Sequence, residues 1–208
     1  MDFLTEIARF TDADLIADFP LRKKTTFGTG GKCKYLIEVK NLVSLRSSLD
    51  IAKECGVKTA ILGGGSNLLF SDKGFDGAVI SLGRFKLKTS EKNTVKFSSG
   101  VTLPEAFNFC LKHSLSGFES ISSIPGTVGG GILMNASAFG HSISDDLVSV
   151  TTLSDGKIKK YYKEDCEFGY RDSIFRKSGE IIVFAEFDLK KGNPSEILSE
   201  KEWVDGLR

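Results

Sequence analysis

Residues Ile61–Asp72 read ILGGGSNLLFSD, in which three glycines, a serine and an asparagine interrupt an apolar run. Glycine is costly in such a run, because its unfolded backbone has the most conformational freedom to lose. The preceding VKTA contains the β-favouring residues Val57 and Thr59, so the segment predicts a strand that ends in a glycine loop. This composition indicates that the backbone comes close to another group.

Two further segments are rich in glycine, Gly28–Gly31 and Gly126–Gly131. None of the three fits a common nucleotide fingerprint. The sequence contains no GxxxxGK followed by Ser or Thr, and Leu68 and Cys33 stand where the Rossmann pattern requires its third glycine. A P-loop ATPase, a kinase and a Rossmann dehydrogenase therefore lose support, while simple tight turns remain one interpretation of each segment.

Composition limits the partners that the protein can have. The chain has 208 residues, 40% of them hydrophobic, with 28 Lys and Arg against 27 Asp and Glu. This near-neutral balance argues against nucleic acid and against an anionic membrane, so any phosphate binding must be local. The N-terminus MDFLTEIARFTDADL is acidic and helical in pattern rather than a signal peptide, and we expect a cytoplasmic protein.

Metal and disulfide chemistry find little support in the sequence. The four cysteines are far apart, and no CxxC pair occurs. Only His113 and His141 could add imidazole ligands, and neither lies in a nucleophile motif, so we interpret both as structural. We predict no metal site and four reduced cysteines, which behave as small hydrophobic residues when buried.

Hydrophobic periodicity predicts an α+β protein with a mixed or antiparallel sheet. Helical spacing occurs in VSLRSSLDIAKECG, which Gly56 ends, and in TLPEAFNFCLKHSL, where Thr102 and Glu105 form a capping box. Strand patterns occur in KTAIL, GAVISL, TVKFS and EIIVFAEFDL, and a hairpin is expected to turn at Asp155 and Gly156.

The glycine segments give a more specific prediction when they are considered together than when each is considered alone. Successive glycines let backbone N–H groups form a concave nest that holds a phosphate oxygen without side-chain charge. Ser66, Asn67 and Asn135 place short polar side chains beside such nests. Two nests from distant loops suit a pyrophosphate, which leads to the hypothesis of a dinucleotide bound outside the Rossmann fold.

The segment CEFGYRDSIFR, residues 166–176, allows two interpretations. Arg171, Asp172 and Ser173 lie between two aromatic residues. The segment is either an exposed loop with a surface ion pair, or an arginine held near Asp172 and offered to an anionic or enolate-like group.

Five motifs in order carry a family resemblance: TTFGTGG, ILGGGSNLL, SGVTL, GFESISSIPGTVGGGILMNASAFG and FGYRDSIF. Together they resemble the UDP-N-acetylenolpyruvoylglucosamine reductase family, also called UDP-N-acetylmuramate dehydrogenase or MurB, a flavoenzyme family of bacterial peptidoglycan synthesis. The resemblance runs from about Thr25 to Leu189, and IPGTVGG and YRDSIF are its most specific parts.

The resemblance implies a two-subdomain FAD-binding fold of the vanillyl-alcohol-oxidase or PCMH type. Residues 1–58 would form the first subdomain and residues 59–191 the second, with a PCMH-type region over about 25–191 and FAD between them. Residues 192–208 would begin a third, UDP-sugar-binding domain that this chain lacks. A monomer is expected.

The resemblance also implies roles for particular residues. The FAD pyrophosphate would be held by Gly63, Gly64, Gly65, Ser66 and Asn67. The flavin and the rest of the cofactor would be lined by Gly126, Thr127, Gly129, Gly130, Asn135 and Ala136. Arg171 would be the catalytic arginine, which polarises the substrate carboxylate. In the family, NADPH reduces FAD, and the flavin N5 then delivers hydride to the enolpyruvyl group of the UDP-sugar.

The chain departs from the family pattern in two places. It has neither the GSxFKNP-like serine stretch nor the C-terminal glutamate that complete the family's site, and Ser173 does not match the serine motif. After NASAFG, the usual acidic residue is replaced within the run HSIS.

These departures leave alternatives open. The chain is either a truncated product or a short homologue, and we expect it to bind FAD with little turnover. A non-catalytic FAD-binding module that needs a partner chain is one alternative. An FAD oxidase acting on another substrate is a second, against which YRDSIF argues.

Overall fold

A computed structural model describes residues 2–207. Cα packing divides the chain into two compact units, of which the first ends at Lys86 and the second begins at Leu87. The helical segment expected from Met1 and the third-domain segment expected to reach Arg208 each have one terminal residue outside the described range.

The first unit combines two helices with a four-stranded sheet. Its elements are α1 (Phe3–Phe10), β1 (Ala13–Pro20), β2 (Lys32–Val39), α2 (Leu42–Glu54), β3 (Thr59–Leu62) and β4 (Phe75–Ser81). The strand order is β1-β2-β4-β3, with β1 antiparallel to β2 and the other two pairings parallel. Helix α2 is the crossover that a parallel arrangement requires. Leu21, Cys33, Leu36, Leu62 and Val79 form a buried cluster in this unit.

The second unit contains a five-stranded antiparallel sheet and four helices. Its elements are β5 (Lys88–Glu91), β6 (Thr94–Ser98), α3 (Leu103–Lys112), β7 (Leu115–Ser116), α4 (Val128–Leu133), β8 (Ser137–Ala138), β9 (His141–Ser142), β10 (Leu147–Ser154), β11 (Lys157–Tyr162), α5 (Phe175–Ser178), β12 (Ile181–Asp188), β13 (Lys190–Lys191) and α6 (Pro194–Gly206). The main sheet has the order β11-β10-β12-β6-β5.

Aromatic packing forms the centre of the second unit. The rings of Phe97, Phe118 and Phe187 are nearly or fully buried, with centroids 5.1–6.1 Å apart. Such contacts stabilise beyond the burial of area, because ring edges and faces carry opposite partial charges. The core therefore gives the loops around α4 a rigid support.

Several sequence predictions are confirmed by local geometry. Thr102 and Glu105 form the expected capping box at the start of α3. Gly56 follows α2 with a left-handed φ of 66°. Asp155 and Gly156 connect β10 to β11 with φ values of 45° and 70°, as a tight hairpin requires. The α+β class with mixed and antiparallel sheets is likewise confirmed.

Two sequence predictions differ from the structure. The helical pattern was expected to continue to Leu15, but α1 ends at Phe10 and Ala13–Pro20 is a strand. This strand forms because its backbone pairs with β2, a contact that local periodicity does not encode. The boundary expected after Lys58 also differs, because β3 and β4 complete the first unit's sheet and extend that unit to Lys86.

Helix α6 belongs to the second unit by its contacts. Ile197 and Val204 are buried, and the Lys201 ammonium lies 5.8 Å from the centroid of the Phe107 ring. Asp205 accepts a hydrogen bond from the Ser123 hydroxyl. That residues 192–208 begin a third domain stays a prediction.

The cysteines are free thiols in both units. Burial raises the pKa of Cys166 to about 12 and raises the pKa of Cys33 and Cys110, so these thiols are protonated at neutral pH. Residues 2–207 contain no group of three or more His, Cys, Asp and Glu side chains arranged to hold a metal ion. Over the same residues, no helix combines the length and apolarity needed to cross a membrane.

A charged network lies on one face of the five-stranded sheet. Glu186 accepts hydrogen bonds from Lys96, Lys160 and Ser149, each at 3.0 Å. Burial opposes the charged carboxylate, but these donors outweigh it and lower the pKa of Glu186 to about 2. The carboxylate thus stabilises the folded chain above its ordinary pKa of 4.5, and this contribution is lost as pH falls toward 2.

Replacing Glu186 with Gln is expected to lower the free energy of unfolding at pH 7 by on the order of 1 kcal/mol. The difference from the parent chain should narrow between pH 4.5 and 2, because the parent carboxylate then becomes protonated. Urea unfolding measured across this range checks the prediction. Glu202→Gln, at an exposed position of α6, is the control, and an equal pH dependence for both variants would contradict the assignment.

Candidate functional site

The loop after β3 leaves a row of backbone donors without partners. None of the five N–H groups of Gly63–Asn67 donates a hydrogen bond to another residue of the described range 2–207. Buried backbone N–H groups in folded proteins are almost always paired, and Gly65 in this row is buried, so the five consecutive donors indicate a ligand or solvent. Such donors suit phosphate oxygens, which accept hydrogen bonds and carry negative charge.

The loop that contains Lys24 and Thr26 packs against this row of residues. Gly65 has a left-handed φ of 69°, and a Cβ there would lie 1.9 Å from the carbonyl oxygen of Lys24. The Gly65 carbonyl accepts a hydrogen bond from the Thr26 N–H at 3.0 Å. The absence of a side chain at Gly65 therefore lets the two loops touch through their backbones.

The first glycine segment has a packing role. A Cβ on Gly31 would lie 2.2 Å from the carbonyl oxygen of Asp72, and the Gly31 N–H donates to the Ser71 carbonyl at 3.0 Å. Lys24 is anchored by the carboxylate of Glu38, at 2.5 Å, whose side chain is 9% exposed. The loop Lys24–Gly31 is thus fixed against the loop that follows β3.

The second unit presents α4 and the residues that surround it. Thr127 caps α4, and its hydroxyl accepts from the Gly130 N–H at 3.4 Å. Gly129 is buried, and a Cβ there would lie 2.5 Å from the Cβ of Ser99. Gly130, by contrast, is exposed. The need for glycine at position 129 is thus explained by packing, and a role in lining a ligand stays a prediction.

Three buried side-chain atoms among the described residues of this unit have no hydrogen-bond partner. They are Oε1 of Glu119, Oγ of Ser99, which lies against Gly129, and Oδ1 of Asn135, which follows α4. Buried acceptors without partners are uncommon and call for an explanation such as a ligand or an ordered water. Asn135 lines a cleft of about 610 Å³ whose walls also include Ser137, Ser144, Lys163 and Tyr170.

Arg171 lies at the tip of a turn beside this cleft. Gly169 and Tyr170, which directly precede it, line the cleft, and the Asn135 Nδ2 donates to the Gly169 carbonyl at 3.0 Å. Arg171 is exposed, and its guanidinium forms no ion pair with any residue in the range 2–207. Asp172 instead pairs with Arg176 and Lys177, so the expected association of Arg171 with Asp172 is not present.

His141 fixes the hairpin that follows Asn135. Its Nδ1 lies 3.4 Å from Oδ2 of Asp145, and its Nε2 lies 3.3 Å from Oδ2 of Asp146. The hydrogen bond to Asp146, helped by the charge of both carboxylates and by the Gly117 carbonyl, raises the pKa of His141 against the effect of burial. The expected structural role of His141 fits this geometry.

Comparison with known proteins gives the family. The FAD binding domain family matches residues 33–161. UDP-N-acetylenolpyruvoylglucosamine reductase of Streptococcus uberis is 34% identical over 203 residues, covering 97% of this chain and 67% of the relative. The crystal structure of UDP-N-acetylenolpyruvylglucosamine reductase (MurB) from Thermus caldophilus superposes with a TM-score of 0.79 at 32% identity, covering 96% of this chain and 70% of that one.

The chain belongs to the UDP-N-acetylenolpyruvoylglucosamine reductase family. It spans 66% of the length of the Lactobacillus acidophilus member, to which it is 34% identical over 94% of its own length. Alkyldihydroxyacetonephosphate synthase has the same fold, with a TM-score of 0.70 at 18% identity. The predicted FAD-binding fold is therefore confirmed.

The residues that the family resemblance assigns to FAD binding form one group within each unit. Gly63–Asn67 form one loop of the first unit, while Gly126, Thr127, Gly129, Gly130, Asn135 and Ala136 surround α4 in the second. Asn135 contacts the turn of Arg171 directly. Sequence reasoning missed Ser99, whose small size permits the packing of Gly129, because no local pattern marks that contact.

Replacing Gly65 with Ala is expected to lower the free energy of unfolding by about 3 kcal/mol or more. The new Cβ would clash with the Lys24 carbonyl, and the alanine backbone would have to keep a left-handed φ that disfavours residues with a Cβ. Gly56→Ala is the matched control, since Gly56 has a φ of 66° but open space around it. Its cost should be about 1 kcal/mol. Urea unfolding of both variants makes the comparison, and equal losses would contradict a close approach at Gly65.

Replacing His141 with Gln is expected to lower the free energy of unfolding by up to about 1 kcal/mol at pH 6. Because the folded pKa lies above the ordinary value of 6.5, the contribution is complete below pH 6.5 and is lost as pH rises through the folded value. Urea unfolding from pH 5.5 to 9 measures the difference. His113→Gln, whose imidazole contacts the Phe109 carbonyl, is the control, and a parallel response of both variants would refute the two-carboxylate contact.

Proposed function

We propose that this chain is the FAD-binding part of an NADPH-dependent reductase that converts the enolpyruvyl ether of UDP-N-acetylglucosamine to UDP-N-acetylmuramate in peptidoglycan synthesis. The observation that carries the proposal is the exposed Arg171 beside the Asn135 cleft, whose guanidinium has no ion-pair partner within residues 2–207, in a chain of this family. A cytoplasmic monomer without nucleic-acid or membrane partners is part of the same proposal.

The residues that would hold FAD fit its chemistry. The unpaired N–H groups of Gly63–Asn67 match the acceptor oxygens of a pyrophosphate, and they require no net positive charge on the protein. The unpaired Oδ1 of Asn135 matches an N–H donor of a polar ring, and Gly130 leaves the backbone accessible. FAD bound to these residues would supply hydride transfer between NADPH and the enolpyruvyl double bond.

Arg171 supplies the electrostatic part of the reaction. When hydride adds to an enol ether conjugated to a carboxylate, negative charge builds up on the carboxyl side. A guanidinium matches a carboxylate in shape and always carries its charge. Because Arg171 has no internal ion pair within residues 2–207, its charge is available to the substrate.

The serine nearest to Arg171 is poorly placed to give the proton that completes the reduction. This residue, Ser173, is 1% exposed and donates to the Leu133 carbonyl at 2.8 Å. This supports the proposal that the chain alone binds FAD and turns over little. The same observation favours a second candidate function, a non-catalytic FAD-binding module that a partner chain completes.

Purified chain titrated with FAD should quench flavin fluorescence and retain the flavin absorbance bands after gel filtration. Arg171→Ala should leave FAD affinity within about twofold and weaken binding of the enolpyruvyl UDP-sugar, or any NADPH-dependent turnover, by about 10²-fold to 10³-fold. Arg176→Ala, which removes a neighbouring arginine, is the control and should change either quantity less than about threefold.

Each outcome has a defined consequence. A chain that takes up no FAD contradicts the proposed function, and an Arg171→Ala variant that matches the parent refutes the role of the arginine. Turnover by the chain alone at the rate of the longer family members contradicts the little-turnover proposal. Turnover that is restored only when a second chain supplies a proton donor favours the module.

A further inference from the structure

The turn that carries Arg171 is short and conformationally demanding. Gly169 and Asp172 exchange two backbone hydrogen bonds, at 3.1 and 3.3 Å, so only two residues form the tip. Arg171 has a left-handed φ of 53°, which is unfavourable for a residue with a side chain. Such a conformation persists only where the surroundings hold it.

Two side-chain hydrogen bonds connect this turn to the end of α4. On the N-terminal side, Nδ2 of Asn135 donates to the Gly169 carbonyl at 3.0 Å. On the C-terminal side, Oγ of Ser173 donates to the Leu133 carbonyl at 2.8 Å. Asn135 is 9% exposed and Ser173 is 1% exposed, so both donor residues are buried. The turn is therefore held at both ends by the same short segment, Leu133–Asn135.

Surface contacts add less to this support. Nη1 of Arg176 donates to the Arg171 carbonyl and to Oδ1 of Asp172, each at 3.2 Å, and all of these groups are at least partly exposed. Exposed ion pairs contribute little and are screened by salt. The two bonds to Leu133–Asn135 thus restrain the turn more than the surface contacts of Arg176 do.

We propose that Asn135 and Ser173 are positioning residues for Arg171, which act by fixing its turn against the end of α4. The inference rests on the proposed function, since it assumes that the location of the guanidinium matters to the reaction. It assigns to Ser173 a definite task other than proton donation. It also gives the two motifs NASAFG and YRDSIF a direct physical connection.

The carboxamide of Asn135 is suited to two simultaneous tasks. Gly169 offers a carbonyl, which can only accept, so the amide nitrogen must face it. The oxygen Oδ1 is then left buried without a hydrogen-bond partner in residues 2–207, in a side chain that lines the cleft. Asn135 therefore holds the turn while its acceptor oxygen is not used by another residue of that range.

Amide hydrogen exchange in the chain without added FAD tests the restraint directly. Exchange at Gly169 and Asp172, followed by NMR, should accelerate about fivefold to tenfold in Ser173→Ala and in Asn135→Asp, because each variant loses one buried donor. Asn135→Asp retains the size of the side chain and its tolerance of the left-handed φ of 42°. Ser173→Cys should give an intermediate rate, since a thiol is a weak donor.

Ser122→Ala is the matched control. The Ser122 hydroxyl is buried and donates to the Glu119 carbonyl at 2.8 Å, a bond of the same kind that lies away from the turn. This variant should lose similar global stability while exchange at Gly169 and Asp172 stays at the parent rate. Unchanged exchange in both Ser173→Ala and Asn135→Asp would overturn the proposal.

A double-mutant cycle separates positioning from general stabilisation. In FAD-loaded chain, Ser173→Ala should weaken binding of the enolpyruvyl UDP-sugar about fivefold when Arg171 is present and less than about twofold in the Arg171→Ala background. Equal losses in both backgrounds would mean a structural role only and would overturn the proposal. A chain that takes up no FAD refutes the proposed function instead, and the exchange rates then still decide whether Asn135 and Ser173 hold the turn.

Discussion

The close contact between Gly129 and Ser99 is the constraint on which the candidate site in the second unit depends. Only a glycine allows α4 to come this near, because a Cβ would lie 2.5 Å from that of Ser99. The contact is secured by hydrogen bonds from Gly129 to the Ser99 carbonyl and from Val128 to the Val101 carbonyl. The helix is thus fixed to the end of β6. Asn135 follows this helix and holds the turn that carries Arg171 through its hydrogen bond to Gly169.

Charge in this protein is distributed in a way that suits one anionic substrate group. Overall charge is close to neutral, and two cations near the described sites have carboxylate partners: Lys24 pairs with Glu38, and Arg176 pairs with Asp172. Arg171 differs because Asp172, its neighbour in sequence, pairs elsewhere. The proposed phosphate recognition correspondingly relies on the backbone N–H groups of Gly63–Asn67, which need no positive field.

Glycine serves different purposes at positions that look alike in sequence. Gly65 and Gly129 permit close backbone or Cβ contacts, Gly31 seats one loop against another, and Gly130 remains exposed. Sequence reasoning groups Gly65, Gly129 and Gly130 as ligand-lining, because a motif records which residue is small but not what it touches. The neighbours that explain them, Lys24 and Ser99, lie tens of residues away in the chain.

The sequence by itself determined the elements whose signals are local, namely the capped α3, the glycine-terminated α2 and the Asp155–Gly156 hairpin. It also determined the family, because motif order does not depend on folding. Only the tertiary structure decided that Ala13–Pro20 is a strand and that the first unit reaches Lys86. It also decided that Asp172 pairs with Arg176 rather than with Arg171. These outcomes depend on pairing between distant segments, whose free energy exceeds local preference and leaves no periodic trace in the chain.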